Sequence, residues 1–589
     1  MNCLYIGYDQ QAVRFSQEKT VFLSVKKYDE VVNNFQPQFD LDYRLDKLCK
    51  EWLVEFTNAE IIVVELDWFE SGDYLGARFA NHIRLTKWSN EKLRDMPIVL
   101  IRDKYVDIVL RDMLRDDLLI FVGQGALFST YSDLIATFYE KWPVMEELTA
   151  LQKLVHRHNQ KYHFKKYLDA LKFSEQHEDS HSITNQWGAL RLAHNIGYIS
   201  DDIEYKWPPK LYFKYLQAKY DFKPITSPTQ IIAKILLIDD NTDKGWEKVL
   251  KKLFKFDDNN PTLDEKGRPT FVTVNEKVKD YDSLSEKSRI IIEEQDFDLY
   301  LVDLRLNGAD EDITTETRNF SGATVLQKIK SLNAGNQVIM FTASNKAWNM
   351  RALLSGENAA DGYYIKESPL NASDKYFGKN NTKSFLQQID LALESKFLKE
   401  VARFETKCFL FIESDLFNRQ PEYQNFYYRA ISALKVGFEL CKKSVSDKKY
   451  FNLAYLTYYQ ILEDYAGQEE NFEYISDREC YINNKLIRVI DDSSGSLIWQ
   501  LKFINDANQW PYFRKRDKTC TDSVKVLSLA KISFILAFKF RKGDAFLLNW
   551  GELNHIRNQK AGHGGANGLV YEEELFKLLK VVELFLTNR

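Results

Sequence analysis

The chain has 589 residues, is 44% hydrophobic and 14% aromatic, and carries a net charge of −5. That length suggests three to five domains at about 100–200 residues each. The composition is that of a folded, soluble chain, and the acidic balance argues against steering of the whole protein onto nucleic acid. No apolar run approaches the ~20 residues needed to span a bilayer, and the N-terminus, MNCLYIGYDQQ, lacks the basic-then-apolar pattern of a signal peptide. The six cysteines are scattered without a CxxC pair, which reads as reduced thiols. A cytoplasmic protein with no membrane partner is expected.

Residues 1–140 alternate short β-branched runs (Cys3–Gly7, Ile61–Leu66, Ile98–Ile101 and Leu118–Val122) with helical stretches. Such runs suit buried parallel strands, so a doubly wound, flavodoxin-like α/β domain is expected here. Residues 145–230 lose the strand signal. A helix from Leu148 and a second from near Ser174 to Asn195, with Gly197 as its stop, suggest an antiparallel helical hairpin. The segment Lys219–Gln230 holds two prolines and reads as a linker.

Residues 231–397 return to α/β alternation and form a second doubly wound domain. ILLIDDN places Asp239 and Asp240 at the end of one strand, and LYLVDLRL places Asp303 at the end of another. VIMFTAS and GYYIKES put Thr342 and Lys366 after two more. Ligands of parallel sheets gather outside the carboxyl ends of the strands, so these five residues should converge. Three carboxylates together call for a cation, and Mg²⁺ favours oxygen ligands and phosphate. A carboxylate can attack phosphorus, while ammonium and hydroxyl groups meet the charge of the transferring group.

This constellation resembles the receiver domain of two-component response regulators. The resemblance implies Asp303 as phosphoacceptor, a Mg²⁺ site at Asp239, Asp240, Asp303 and the backbone carbonyl of Arg305, and Thr342 and Lys366 as phosphoryl contacts. It also implies a sensor histidine kinase or phosphotransfer protein as partner. Two long polar stretches, FDDNNPTLDEKGRPT and NGADEDITTETRNFSG, depart from the family without removing a reactive group. The first α/β domain looks like a receiver stripped of its chemistry. VVELDW aligns with LVDLRL, putting Glu65 at the Asp303 position, with Arg102 in place of Thr342. LIFVGQG offers no lysine, and only Asp9 is acidic after the first strand.

In the hairpin, Ile183, Trp187 and Leu190 share one helical face, and His181 falls nearly opposite, towards solvent. The segment DSHSITNQWGALRLA resembles the phosphoacceptor box of histidine-kinase dimerisation domains, which makes His181 a candidate relay residue. Two other readings stay open. One is an ordinary exposed histidine. The other is a metal site among the local histidines, although His156 and His158 lie on different helix faces and no zinc spacing appears.

Residues 398–589 are mainly helical, with candidate helices at Asn425–Cys441, Tyr450–Tyr465, Thr521–Lys539, Asp544–Asn558 and Glu572–Leu586 and a hairpin around Tyr474–Val489. In LNWGELNHIRNQKAGHGG, Phe546, Trp550 and Leu553 form an apolar stripe that Arg557 continues. A permanent cation on such a stripe needs a partner or a purpose. Arg557, five residues, then His563, with Asn558 after the arginine, resembles the signature of HEPN domains. That resemblance implies a metal-independent endoribonuclease, usually dimeric. His563 would move the 2′-OH proton, and Arg557 would stabilise charge on the scissile phosphate. An inactive dimerisation module and a structural Arg–carboxylate pair are the alternatives. His555 is the lesser candidate, and the FRKRDK run at 513–518 reads as a solvated loop rather than an RNA contact.

Two functions follow. One is a phosphorelay response regulator in which phosphorylation of Asp303 controls a C-terminal ribonuclease acting on RNA, as a homodimer, in prokaryotic stress or phage defence. The other is a non-enzymatic phosphorelay hub with an inactive, partner-binding helical tail.

Overall fold

The computed structural model describes residues 3–7, 20–24, 41–53, 58–68, 75–86, 96–102, 126–130, 180–198, 231–254, 256, 262–307, 310, 319–342, 354, 359–367, 377–468, 473–476, 479–482, 485–488, 531–533, 535–562 and 568–587. Two five-stranded parallel sheets organise the first two-thirds of it. The first comprises β1 (Cys3–Gly7), β2 (Thr20–Ser24), β3 (Ile61–Glu65), β4 (Ile98–Arg102) and β5 (Ala126–Thr130), in spatial order 2-1-3-4-5. Helices α1 (Leu41–Leu53) and α2 (Leu75–Leu85) connect its strands. The fifth strand lies beyond the apolar run at 118–122, which falls outside the described residues. The strand at 20–24 was not anticipated, because its sequence, TVFLS, is short and carries little pattern.

Helix α3 (Ser180–Asn195) follows and stops at Gly197, whose φ of 69° is left-handed. The start of the predicted helix, and its predicted partner from Leu148, lie outside the described residues. Corrected here is the expected amphipathicity. Residues 185–193 are buried all round, including Asn185, Gly188 and Leu192, which follow His181 on the same helical face. Beyond its first turn this helix is enclosed by the fold and presents no continuous solvent face. The side chain of His181 itself is not among those described.

The second sheet holds β6 (Ile235–Ile238), β7 (Phe271–Val274), β8 (Leu299–Asp303), β9 (Val338–Thr342) and β10 (Gly362–Ile365), with the same order: second, first, third, fourth, fifth. Side chains alternate across a strand, and the alternation here divides two cores. Leu237, Leu301 and Phe341 face α3, α4 (Trp246–Leu253) and α7 (Phe377–Glu394). Ile238, Val302 and Met340 face α5 (Glu286–Glu294) and α6 (Ser321–Leu332).

Helices α8 (Leu398–Leu416), α9 (Pro421–Ser444), α10 (Lys449–Ala466), α11 (Asp544–Ile556) and α12 (Glu572–Thr587) share a separate aromatic-rich core. A three-stranded antiparallel sheet, Glu473–Ser476, Glu479–Ile482 and Lys485–Arg488, stands where a two-stranded hairpin was expected. The helical unit is tied to the second sheet at the amino ends of its strands. Lys399 of α8 donates to Asp296 and to the carbonyl of Phe297, just before β8, and Arg403 pairs with Asp296 at 2.8 Å. Asn333, before β9, donates to the Lys399 carbonyl at 3.2 Å. Among the described residues no helix is long and apolar enough to cross a membrane.

Candidate functional site

The carboxyl ends of β6, β8, β9 and the segment after β10 meet in one pocket. Asp239 and Asp303 are almost fully buried and Asp240 is half-buried; oxygens of the three lie within 4.8 Å of one another. The Lys366 ammonium donates to Asp239 Oδ2 at 2.8 Å and to Asp303 Oδ2 at 2.5 Å. Its own backbone N–H donates to the Thr342 carbonyl at 2.6 Å, which fixes the β10 end against β9. The other oxygen of Asp239, Oδ1, accepts from the Asn241 N–H at 2.7 Å, and Asp303 Oδ1 accepts from the Arg305 N–H at 3.3 Å. The ammonium also lies 5.5 Å from the centre of the Trp246 ring, within cation–π range.

Electrostatics follow from three carboxylates facing one ammonium in a largely buried pocket. Burial pushes the Asp303 carboxyl well above the usual carboxylate range against the pull of Lys366, and the neighbouring Asp239 and Asp240 add to the push. Burial, then Asp239, also raises Asp240. For Lys366, burial opposes the charge, yet the two carboxylates outweigh it and hold the ammonium protonated. Negative charge is thus in excess, all-oxygen and closely spaced. That donor set fits a small hard divalent cation such as Mg²⁺.

The first sheet has the same frame and different chemistry. Strand registers pair Val64 with Ile6 and Val302 with Ile238, so Glu65 occupies the position of Asp303 and Gly7 that of Asp239. The following helices agree. Gly76 donates to the Leu66 carbonyl at 3.0 Å and Gly322 to the Leu304 carbonyl at 3.1 Å. A Cβ on either glycine would overlap the carbonyl oxygen of Glu65 or of Asp303, respectively. The buried Glu65 carboxyl fills the space left by Gly7 and accepts from the Tyr5 hydroxyl. Arg102, at the Thr342 position, pairs with Asp67 at 2.8 Å. The lysine position is corrected: Thr130 matches Ile365 in register, so the counterpart of Lys366 is Tyr131, not a residue of LIFVGQG. Among the described residues the second-sheet aspartates are the one cluster able to hold a metal. Asp9 lies outside them.

Sequence reading missed Gly7, although CLYIGYD and ILLIDDN align without a gap. It also missed Trp246, whose ring lies beside the Lys366 ammonium, and the buried ion pair of Arg191 with Glu367.

In the helical unit, α11 runs directly into a π-helix, Arg557–Ala561, a distortion frequent at functional sites. Arg557 is half-exposed, 5.5 Å from the Tyr459 ring centre and 3.5 Å from Glu463, and it donates to Asn558 Oδ1 at 2.8 Å. Tyr459 stacks on Trp550 and donates to Asn554 Oδ1 at 2.9 Å. His563 lies outside the described residues, as do the residues of FRKRDK. Asn452, unmarked by sequence, donates to the carbonyls of Lys560 at 3.2 Å and Gly568 at 2.7 Å, clasping both flanks of the His563 segment. His555 points to solvent.

The family described as iREC, Inactive Receiver domain, matches residues 10–122. The match spans most of the first α/β unit and agrees with a receiver-like frame that carries Gly7 and Glu65 in place of acidic-pocket residues. No match to the chain is found among curated proteins.

Proposed function

We propose that the chain is a phosphorelay response regulator whose second α/β unit accepts a phosphoryl group on Asp303, beside an inactive receiver-like companion. The observation carrying this reading is the Lys366 ammonium bonded to both Asp239 and Asp303, with Asp240 within metal-sharing distance. An Asp303 carboxylate oxygen attacks phosphorus. The new O–P bond forms as the donor's P–N or P–O bond breaks, and the donor leaves with the electron pair and takes a proton from solvent. Lys366 and Thr342 receive the phosphoryl oxygens. Asp239, Asp240, Asp303 and the Arg305 carbonyl would hold Mg²⁺, which supplies charge neutralisation on those oxygens. The donor partner is a sensor histidine kinase or phosphotransfer protein. A relay through His181 would add a second carrier.

The C-terminal helical unit is the output, a HEPN-type endoribonuclease acting through Arg557, Asn558 and His563 on RNA as a homodimer, with stress or phage defence as its setting. The second reading, a non-enzymatic hub, is favoured by the pairing of Arg557 with Glu463 and Asn558, which suits a structural arginine. The test offers the full chain acetyl phosphate with Mg²⁺ and follows labelling and RNA integrity. Labelling lost in Asp303→Asn supports the reading; a chain that takes no label, or an Asp303→Asn chain labelled as well as wild type, rejects it. RNA cleavage lost in Arg557→Ala/His563→Ala selects the ribonuclease over the hub.

A further inference from the structure

The Lys366 ammonium is enclosed. It donates to Asp239 and to Asp303, and the Trp246 ring covers a further side, its centre 5.5 Å away. Trp246 stands there because Gly245, at a left-handed φ of 111°, turns the chain from the short helical turn Thr242–Lys244 into α4, whose first residue is Trp246. The ring is fully buried and held from three elements. Phe341 of β9 and Tyr364 of β10 meet it edge-on, at centre distances of 5.5 and 5.8 Å. From α3, Asn185 Oδ1 accepts from the indole N–H at 3.1 Å, and Gly188 lies so near that a Cβ there would stand 2.9 Å from the ring. Helix α3 is anchored further along by Arg191, whose Nε donates to both Glu367 oxygens at 2.9 and 3.0 Å, and by Asn195, which donates to the Gly378 carbonyl at 3.2 Å and to Thr382 Oγ1 at 2.9 Å.

An ammonium on a four-carbon stem is a mobile charge until something fixes it. The face of an indole ring attracts a cation, and more strongly out of water. Which way the face points depends on the tilt of the ring. A buried indole N–H is costly to leave without an acceptor, so the Asn185 oxygen selects one tilt. We infer that Trp246 is a positioning residue for Lys366 and that α3 sets it through Asn185: the seated ring holds the ammonium against Asp239 and Asp303. Helix α3 is then part of the pocket, although it contributes no group to the acidic cluster. The phosphoryl arm of the inference rests on the proposed role of Asp303, and the metal arm does not.

The two arms have opposite signs, which a loss of structure would not produce. In Trp246→Leu the ammonium is held less firmly and yields the aspartates more readily. The full chain should then bind Mg²⁺ about threefold more tightly by calorimetric titration with the metal alone. A misplaced cationic phosphoryl contact should slow labelling of Asp303 by acetyl phosphate about tenfold. Trp246→Phe keeps an aromatic face, so both quantities should stay near wild type. Asn185→Leu removes the acceptor of the indole N–H. It should shift both quantities in the same directions as Trp246→Leu in the wild-type chain, and neither in a Trp246→Phe chain, which has no N–H to seat. General damage from Asn185→Leu would persist in that background, so this cycle decides the matter where Trp246→Leu does not fold. The inference is overturned by a folded Trp246→Leu chain with wild-type Mg²⁺ affinity or wild-type labelling. It is overturned equally by a Trp246→Phe chain as defective as Trp246→Leu, in folding included, and by an Asn185→Leu effect that is absent from the wild-type chain or undiminished beside Trp246→Phe. A wild-type chain that takes no label ends the proposed function and leaves the Mg²⁺ titration to decide Trp246; one that binds no Mg²⁺ overturns the inference.

Discussion

Glu405 sits in the core of the helical unit with its carboxyl almost fully buried. Its described partner is the Tyr458 hydroxyl at 3.4 Å, a long contact. Burial pushes the carboxyl up to about 8, against the Tyr458 hydrogen bond and the attraction of Lys442 and Lys435, with Glu439 adding to the rise. An acid raised in this way favours the folded state fully below its unfolded value near 4.5, and the advantage is lost as pH climbs through about 8. At about 1.4 kcal/mol per pKa unit, the loss amounts to roughly 5 kcal/mol at its upper bound. Glu405→Gln keeps the shape and a hydrogen-bonding group but cannot ionise. It should match wild type near pH 4.5 and exceed it by several kcal/mol near pH 9. Amide hydrogen exchange in α8 and α10, corrected for intrinsic rates, reads the local opening free energy in a chain of several domains. A Glu405→Gln unit that loses stability with pH as steeply as wild type would refute the assignment of the slope to this carboxyl.

Gly322→Ala forces a methyl group onto the Asp303 carbonyl. It should cost about 3 kcal/mol or more and displace Asp303, lowering both the melting temperature and phosphoryl acceptance; a near-neutral variant would show that β8 and α6 are not in close contact. Lys399→Met removes the cation that ties α8 to Asp296 and to the Phe297 carbonyl. Exchange should accelerate at the start of β8 and in the first turns of α8, with a loss of about 1–3 kcal/mol for the unsatisfied partners, while Mg²⁺ affinity stays at its wild-type value. A change in Mg²⁺ affinity would mean that the two ends of the sheet are coupled.

The last of these matters because the helical unit holds the sheet at the end away from the pocket. β8 spans five residues between Phe297 and the Asp303 carboxyl, roughly 17 Å at about 3.3 Å per residue. Any message from Asp303 to Arg557 therefore crosses a strand length of packed core, through α6 or through the continuous run of α7 into α8. Such a message requires an element with two discrete arrangements.

The pocket was legible because its parts are local. Each acidic or cationic residue ends a hydrophobic run, and parallel topology alone carries all the strand ends to one edge. The same logic exposed Glu65 and Arg102. It misplaced the lysine counterpart because the fifth strand of the first sheet is Ala126–Thr130, and a second apolar run nearby is just as strand-like in sequence. Burial of α3 beyond its first turn was illegible. A helix with Asn185, Gln186, Arg191 and Asn195 reads as half-solvated until the surfaces that accept those groups are known. Arg191 and Glu367 are 176 positions apart, and each alone looks like an ordinary surface charge. Only the packing of α3 against α4 and α7 removes both from water and makes each the necessary partner of the other. Residue order determined which groups end the strands; the tertiary structure decided which distant charges had to neutralise one another there, because desolvation is a property of the assembled surface and not of the chain.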